Sequence, residues 1–257
     1  MYGLVLEGGG SKGSYQIGAC KALRELGIEI GAVAGTSVGA LNGAMVVQGD
    51  IDLAYEIWSN ITPESIIRIP GNGLEDYVGN GFQAGTFKTF IHKIKRIAAE
   101  GGLNVEPLVE LAKSVLDEEK IRKSPIGFGV VTVDVTARKA VEIYKEEIPK
   151  GQLPDYIIAS ASFPAFKRAV IDGRVFIDGA FYNNLPINMV SSRGFKDIIV
   201  LRTYGLGIKR RFDTSGLHII TISPKESLGL TLDFSMQTSR KNLELGYNDV
   251  FRAFGKL

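Results

Sequence analysis

Three scarcities set the first limits on this chain of 257 residues. It has one cysteine, Cys20, so an intrachain disulfide and a cysteine-based zinc site are both excluded. It has two histidines, His92 and His218, so histidine-dependent chemistry has few candidates. It has almost no excess of charge: 30 Lys+Arg against 28 Asp+Glu leave +2, without the global field that marks a nucleic-acid binder. Any basic contact surface is therefore local. Long apolar runs are missing too. Residues 30 to 49 carry no charge, and Gly35, Gly39 and Gly43 space a double G-x-x-x-G, yet the glycines with Thr36, Ser37, Asn42 and Gln48 leave too little apolar bulk for a membrane span. The stretch divides instead into strand, turn and helix, with Gly39 and Gly43 on one helix face for close packing against a sheet. Met1-Tyr2-Gly3-Leu4 enters an apolar run at once, with no basic segment followed by an apolar stretch, and the expectation is a cytoplasmic protein.

What is present is a globular composition, 45% hydrophobic with 31 glycines for tight turns. The length fits a single domain over residues 1–257. Strands are expected near residues 4–7, 30–34, 128–135, 140–144, 198–201 and 217–222, several of them near-continuous apolar runs. Such runs belong to strands covered on both faces, so the fold class is α/β: a mainly parallel central sheet flanked by helices on both faces. Helical patterns cover about 14–26, 105–116, 155–161, 186–192 and a long segment from 236 onward. Cys20 lies at the edge of the stripe Ala19, Ala22, Leu23, Leu26 and reads as core. Asp172-Gly173 between β-prone arms is a hairpin turn, which places Asp178 one strand-length away from Asp172.

Two glycine-rich corners carry the chemistry. In the first, Gly8, Gly10 and Gly13 satisfy G-x-G-x-x-G after a candidate strand, a setting in which backbone N–H groups hold negative charge. A dinucleotide site would also need an acidic residue closing the second strand, roughly 20 residues on. Here that strand runs into Gly35-Thr36-Ser37-Val38-Gly39, and Ser14-Tyr15 stands where a phosphate-binding loop needs Lys-Ser/Thr. The second corner is G-x-S-x-G, the turn that lifts a serine out of a sharp strand-to-helix bend and onto a helix N-terminus. Ser37 is thus the candidate nucleophile, on an elbow of Gly35, Thr36, Val38 and Gly39. Gly8, Gly9, Gly10, Ser11, Lys12 and Gly13, one βα unit away, are better placed to hold a tetrahedral oxyanion than a dinucleotide.

A serine hydroxyl needs a base. His92, among Lys88, Lys93, Lys95 and Arg96, reads as a solvated face residue. His218 would give the chain order of a Ser37–Asp178–His218 triad, but it stands at a strand's entry, whereas a triad histidine belongs on a loop beyond a strand's C-terminal end. Asp178 closes the apolar run Val175-Phe176-Ile177 and is followed by two small residues, which makes it the better base if its surroundings are dry.

These residues, Gly8-Gly9-Gly10-Ser11-Lys12-Gly13, then Gly35-Thr36-Ser37-Val38-Gly39, then Asp178-Gly179-Ala180, resemble the patatin-like phospholipases. So do Ala159-Ser160-Ala161-Ser162-Phe163-Pro164 and Asn184-Leu185-Pro186, and the resemblance spans roughly residues 2–202. It implies a three-layer patatin-like architecture and a lipid acyl hydrolase with a Ser–Asp dyad: Ser37 as nucleophile, Asp178 as base, the Gly8–Gly13 loop as oxyanion hole. Lys12 matches the basic position of the family's glycine loop, and Ala180 departs mildly from a position where many members have glycine.

The reading calls for a lipid ester substrate, peripheral contact with a membrane or micelle, no nucleic acid, no cofactor and no metal. The alternatives are an α/β-hydrolase-type triad and a nucleotide- or lipid-binding module without catalysis. A loop-rich, lid-like insertion is expected at about 61–103, with Phe87, Phe90, Ile91, Ile94 and Ile97 forming a helical stripe. It is either a basic amphipathic lid for anionic lipid or a core-covering helix with a solvated basic face.

Overall fold

The computed structural model describes residues 1–68, 96, 97 and 99–255. The expected insertion at 61–103, with its stripe and His92, falls largely outside the described residues. The described chain is built on one eight-stranded sheet. Five strands are parallel and run, from one side to the other, β3 (Gly127–Asp134), β2 (Ile30–Thr36), β1 (Tyr2–Leu6), β7 (Asp197–Leu201) and β8 (His218–Ile222). Three more strands are antiparallel: β4 (Lys139–Tyr144) and β6 (Arg174–Asp178) pair with β3, and β5 (Ala169–Ile171) pairs with β6. The hairpin joining β5 and β6 turns at Asp172 and Gly173, both with positive φ (47° and 72°), as a two-residue Asp-Gly loop requires.

Alternation along the strands divides the core. Leu4, Leu6, Val33, Phe128, Val130, Ile199 and Leu201 face the larger cluster. It is filled by α1 (Gly13–Glu25), α2 (Val38–Gln48), α3 (Ile51–Ser59), α4 (Glu106–Val115), α5 (Glu118–Lys123), α6 (Leu153–Ser160) and α8 (Met236–Phe254). Val5, Ala32, Ala34, Val131, Ile198 and Val200 face the other side, where α7 (Ile187–Ser191) contributes Ile187, Met189 and Val190. The sheet is thus covered on both faces, unequally. Cys20 is buried in the larger cluster, at 2% exposure. The uncharged stretch 30–49 is strand, corner and helix, and no helix among the described residues is long and apolar enough to cross a membrane.

Two features of the sheet position the site. β1 has β2 on one side and β7 on the other, so the chain diverges there, and the ends of these strands border the crevice where open α/β sheets bind ligands. And β3 is longer than β2: residues 127–131 pair with β2, while residues 132–134 of the same edge pair with β6. β4 occupies the opposite edge. Thr36, the last residue of β2, pairs with Val131, and Asp178, the last residue of β6, pairs with Thr132.

Candidate active site

Ser37 follows β2 directly and caps α2. Its backbone lies at φ 59°, ψ −130°, a region that non-glycine residues rarely enter and that costs on the order of 1–3 kcal/mol. The flanking glycines make room for this corner. A Cβ on Gly39 would fall on the Leu6 carbonyl of β1, and one on Gly35 would fall on the Gly39 carbonyl, so neither position admits a side chain. The strain is held by a hydrogen bond that the sequence did not announce: the Ser37 amide donates to the Ser160 hydroxyl at 2.9 Å, and Ser160 in turn donates to the Val131 carbonyl at 2.6 Å.

Asp178 stands opposite. The Ser37 hydroxyl donates to its Oδ2 at 2.6 Å, and the Ala180 amide donates to its Oδ1 at 2.8 Å. The Asp178 amide donates to the Ser162 carbonyl at 3.0 Å, so the segment Ser160–Ser162 touches both partners. Asp178 is buried, and desolvation raises its carboxyl to about 6, with the hydrogen bonds from Ser37 and Ala180 pulling the other way. A carboxylate of that basicity, in direct contact with a serine hydroxyl, can take its proton near neutral pH.

The glycine loop lies against this pair: a Cβ on Gly8 would stand 3.0 Å from that of Ser37. Of its six amides, Gly8 donates to the Asn184 carbonyl, Ser11 to Thr231, Lys12 to Gly9, and Gly13 to Gly10 and Ser11. The amides of Gly9 and Gly10 have no acceptor among the described residues, and both glycines line the same cavity as Ser37. The Gly8 carbonyl accepts from Thr203 Oγ1 at 2.8 Å and Asn184 Nδ2 at 3.4 Å. Because the peptide is trans, fixing that oxygen also fixes the Gly9 N–H, which points the opposite way. Thr203 is itself tied down by Glu7, a buried carboxylate that accepts from the amides of Thr203 (2.8 Å) and Tyr204 (3.0 Å) and pairs with Arg202 (2.9 Å) and Lys209 (3.3 Å). Burial lowers the Lys12 ammonium from its ordinary value, with Glu7 opposing. The Val38 amide, at the first turn of α2, also lacks an acceptor among the described residues, and Val38 is one of the residues that line the cavity.

Ser37 and Asp178 open on a cavity of about 680 Å³. Beyond the glycines its walls are almost entirely apolar, including Leu41 and Met45 of α2, Ile57 and Trp58 of α3, Leu108 and Leu111 of α4, and Phe163 and Phe166. At roughly 30 Å³ per heavy atom of a liquid, it has room for on the order of twenty atoms.

The histidine alternative is separated from this site. His218 opens β8 and is exposed, and its Nδ1 lies 3.1 Å from Asp197, the first residue of β7. Ser37 follows the C-terminal end of the parallel strands, and His218 is at their N-terminal end. Asp172, in the hairpin turn, accepts from Gln152 and takes no part.

A family model described as Patatin-like phospholipase matches residues 4–191. Over 210 residues the chain is 27% identical to patatin-like phospholipase domain-containing protein 6 of Mus musculus, a match covering 77% of this chain and 13% of that one. It is also 27% identical over 185 residues to the NTE family protein Mb1092c of Mycobacterium bovis, covering 72% and 44%. The chain thus spans less than half the length of these relatives. Among solved structures, VipD from Legionella pneumophila matches with a TM-score of 0.52 at 15% identity, covering 99% of this chain and 67% of that one, a likeness of fold.

Proposed function

The chain belongs to the patatin-like phospholipase family, and from that premise we propose that it is a lipid acyl hydrolase working through an acyl-serine intermediate. The observation that carries the reading is the 2.6 Å hydrogen bond from Ser37 to a buried Asp178 at the polar end of an apolar cavity. Asp178 takes the Ser37 proton as Oγ attacks the ester carbonyl carbon. The oxyanion so formed is held by the Gly9 and Gly10 amides, with Val38 as a third donor. Collapse breaks the bond to the alcohol, which leaves with the proton from Asp178, and the acyl chain remains on Ser37. Water then attacks the acyl carbon while Asp178 accepts its proton, and the fatty acid departs as Ser37 recovers its hydrogen.

The apolar walls favour a long acyl chain and disfavour a phosphate, so they weigh against a nucleotide on the glycine loop. The position of His218 weighs against a triad. Release of free fatty acid from a panel of phospholipids, lysophospholipids, neutral glycerides and thioesters tests the reading. It expects turnover of at least one class by the wild type and none by Ser37→Ala; a folded protein inert on the whole panel contradicts it.

A further inference from the structure

The cavity opens beside the loop 204–211, where several large side chains are left in water. Phe181 (50% exposed), Tyr204 (55%), Leu206 (50%) and Ile208 (55%) all stand out from the surface. Phe181, Leu206 and Ile208 also line the cavity that holds Ser37, so the exposed patch and the site are continuous. The backbone beneath them is fixed: Ile208 donates to the Ala180 carbonyl at 2.8 Å, and Asn184 donates to the Ile208 carbonyl at 2.6 Å. Directly after this apolar rim come Lys209, Arg210 and Arg211, all exposed, with no acidic residue before Asp213. Lys209 is paired with Glu7. Arg210 stacks on Tyr182 at 4.4 Å, which leaves its donors unspent, and neither arginine has a carboxylate partner among the described residues. On a chain of net charge +2, Arg210 and Arg211 put two exposed cations next in the chain to the apolar rim.

Apolar side chains that dip below headgroups, next to cations that meet them, match a bilayer interface carrying negative charge. We infer that the loop 204–211, with Phe181, docks the protein on an anionic lipid surface and sets the cavity mouth against it. The inference rests on the hydrolase reading for its purpose, since an acyl chain then passes from bilayer to cavity without crossing water.

The test uses vesicles of ether-linked phosphatidylcholine with and without ether-linked phosphatidylglycerol, which an ester hydrolase cannot consume, and reads binding by co-sedimentation. Binding is expected only with the anionic lipid and should weaken with salt. Arg210→Gln/Arg211→Gln should lose about thirtyfold in vesicle affinity, from two cations removed, while keeping wild-type turnover of a soluble butyrate ester. Leu206→Ser/Ile208→Ser should lose at least about tenfold in binding. Vesicle affinity unchanged in both double variants overturns the docking surface, even if the soluble ester is hydrolysed. Failure to hydrolyse any ester with variant-sensitive vesicle binding intact overturns the hydrolase reading instead. A dimer in solution that Leu206→Ser/Ile208→Ser converts to monomer assigns the patch to a second copy and overturns the lipid surface.

Discussion

Ser37 and Asp178 meet because the strands that carry them run toward each other along one edge of β3. Thr36 ends β2 opposite Val131, Asp178 ends β6 opposite the next residue, Thr132, and the two side chains close the gap at 2.6 Å. The sheet itself, with β6 antiparallel to β3, brings the two together, and no long loop has to reach across the site.

That geometry keeps Asp178 dry, and a dry carboxyl that would serve the proposed chemistry is one that weakens the fold as pH rises. The folded carboxyl, raised by desolvation to about 6 against an ordinary 3.8, holds its proton more tightly than the unfolded chain does. Its contribution is most favourable below about pH 3.8 and is lost as pH rises toward 6, a change on the order of 3 kcal/mol. Asp178→Asn should therefore be inactive yet gain in unfolding free energy relative to the wild type between pH 4 and pH 8. Denaturant melts of both proteins at the two pH values check this; a variant that loses ground as pH rises contradicts it.

Ser160 supports the strained corner and should matter nearly as much as the elbow glycines. Removing its hydroxyl leaves the Ser37 amide without its acceptor, at a cost of about 1–3 kcal/mol, and frees the Ser37 side chain from its fixed angle. Ser160→Ala should lower kcat by about tenfold or more with KM little changed, alongside a lower melting temperature. Steady-state kinetics separate the two effects, and an unaltered kcat sinks the positioning role.

Chain length offers a reading of the cavity. Met45 lines it eight residues beyond Ser37 on α2, about 12 Å along the axis. Met45→Trp fills that remote part, so the preference for a palmitoyl over a butyryl ester should fall by about tenfold. Competition between the two esters measures the ratio; a ratio left at the wild-type value places the acyl chain elsewhere.

His218 should be dispensable. It sits at the N-terminal end of the parallel strands beside Asp197, so His218→Gln should keep activity within about tenfold. A triad base would cost about 10²-fold to 10⁴-fold.

Much of this was legible in the residues. Gly35 and Gly39 announced the corner because contact with a neighbouring backbone forbids a side chain at either position. His218 was legible as a strand-entry residue because the apolar run begins after it. The Asp172-Gly173 hairpin told the two aspartates apart. What the sequence did not reveal depends on partners distant along the chain. Nothing local to Ser160 says that it binds an amide 123 residues away. The glycine motif likewise offers six amides, and the distant acceptors at Asn184 and Thr231, together with those inside the loop, leave Gly9 and Gly10 as the two without an acceptor among the described residues. The helices over 51–59 and 118–123 were not read from the pattern: both are short, and α5 buries a single residue, Ile121.

Direct activation of Ser37 by Asp178, with no intermediary, is read from the rate at which a fluorophosphonate labels Ser37 across pH. The expected result is labelling that falls below a midpoint of about 6 in the wild type, drops at least about 10²-fold in Asp178→Asn, and keeps its rate and midpoint in His218→Gln. Labelling of folded Asp178→Asn at the wild-type rate, or a midpoint that vanishes in His218→Gln, would contradict the account.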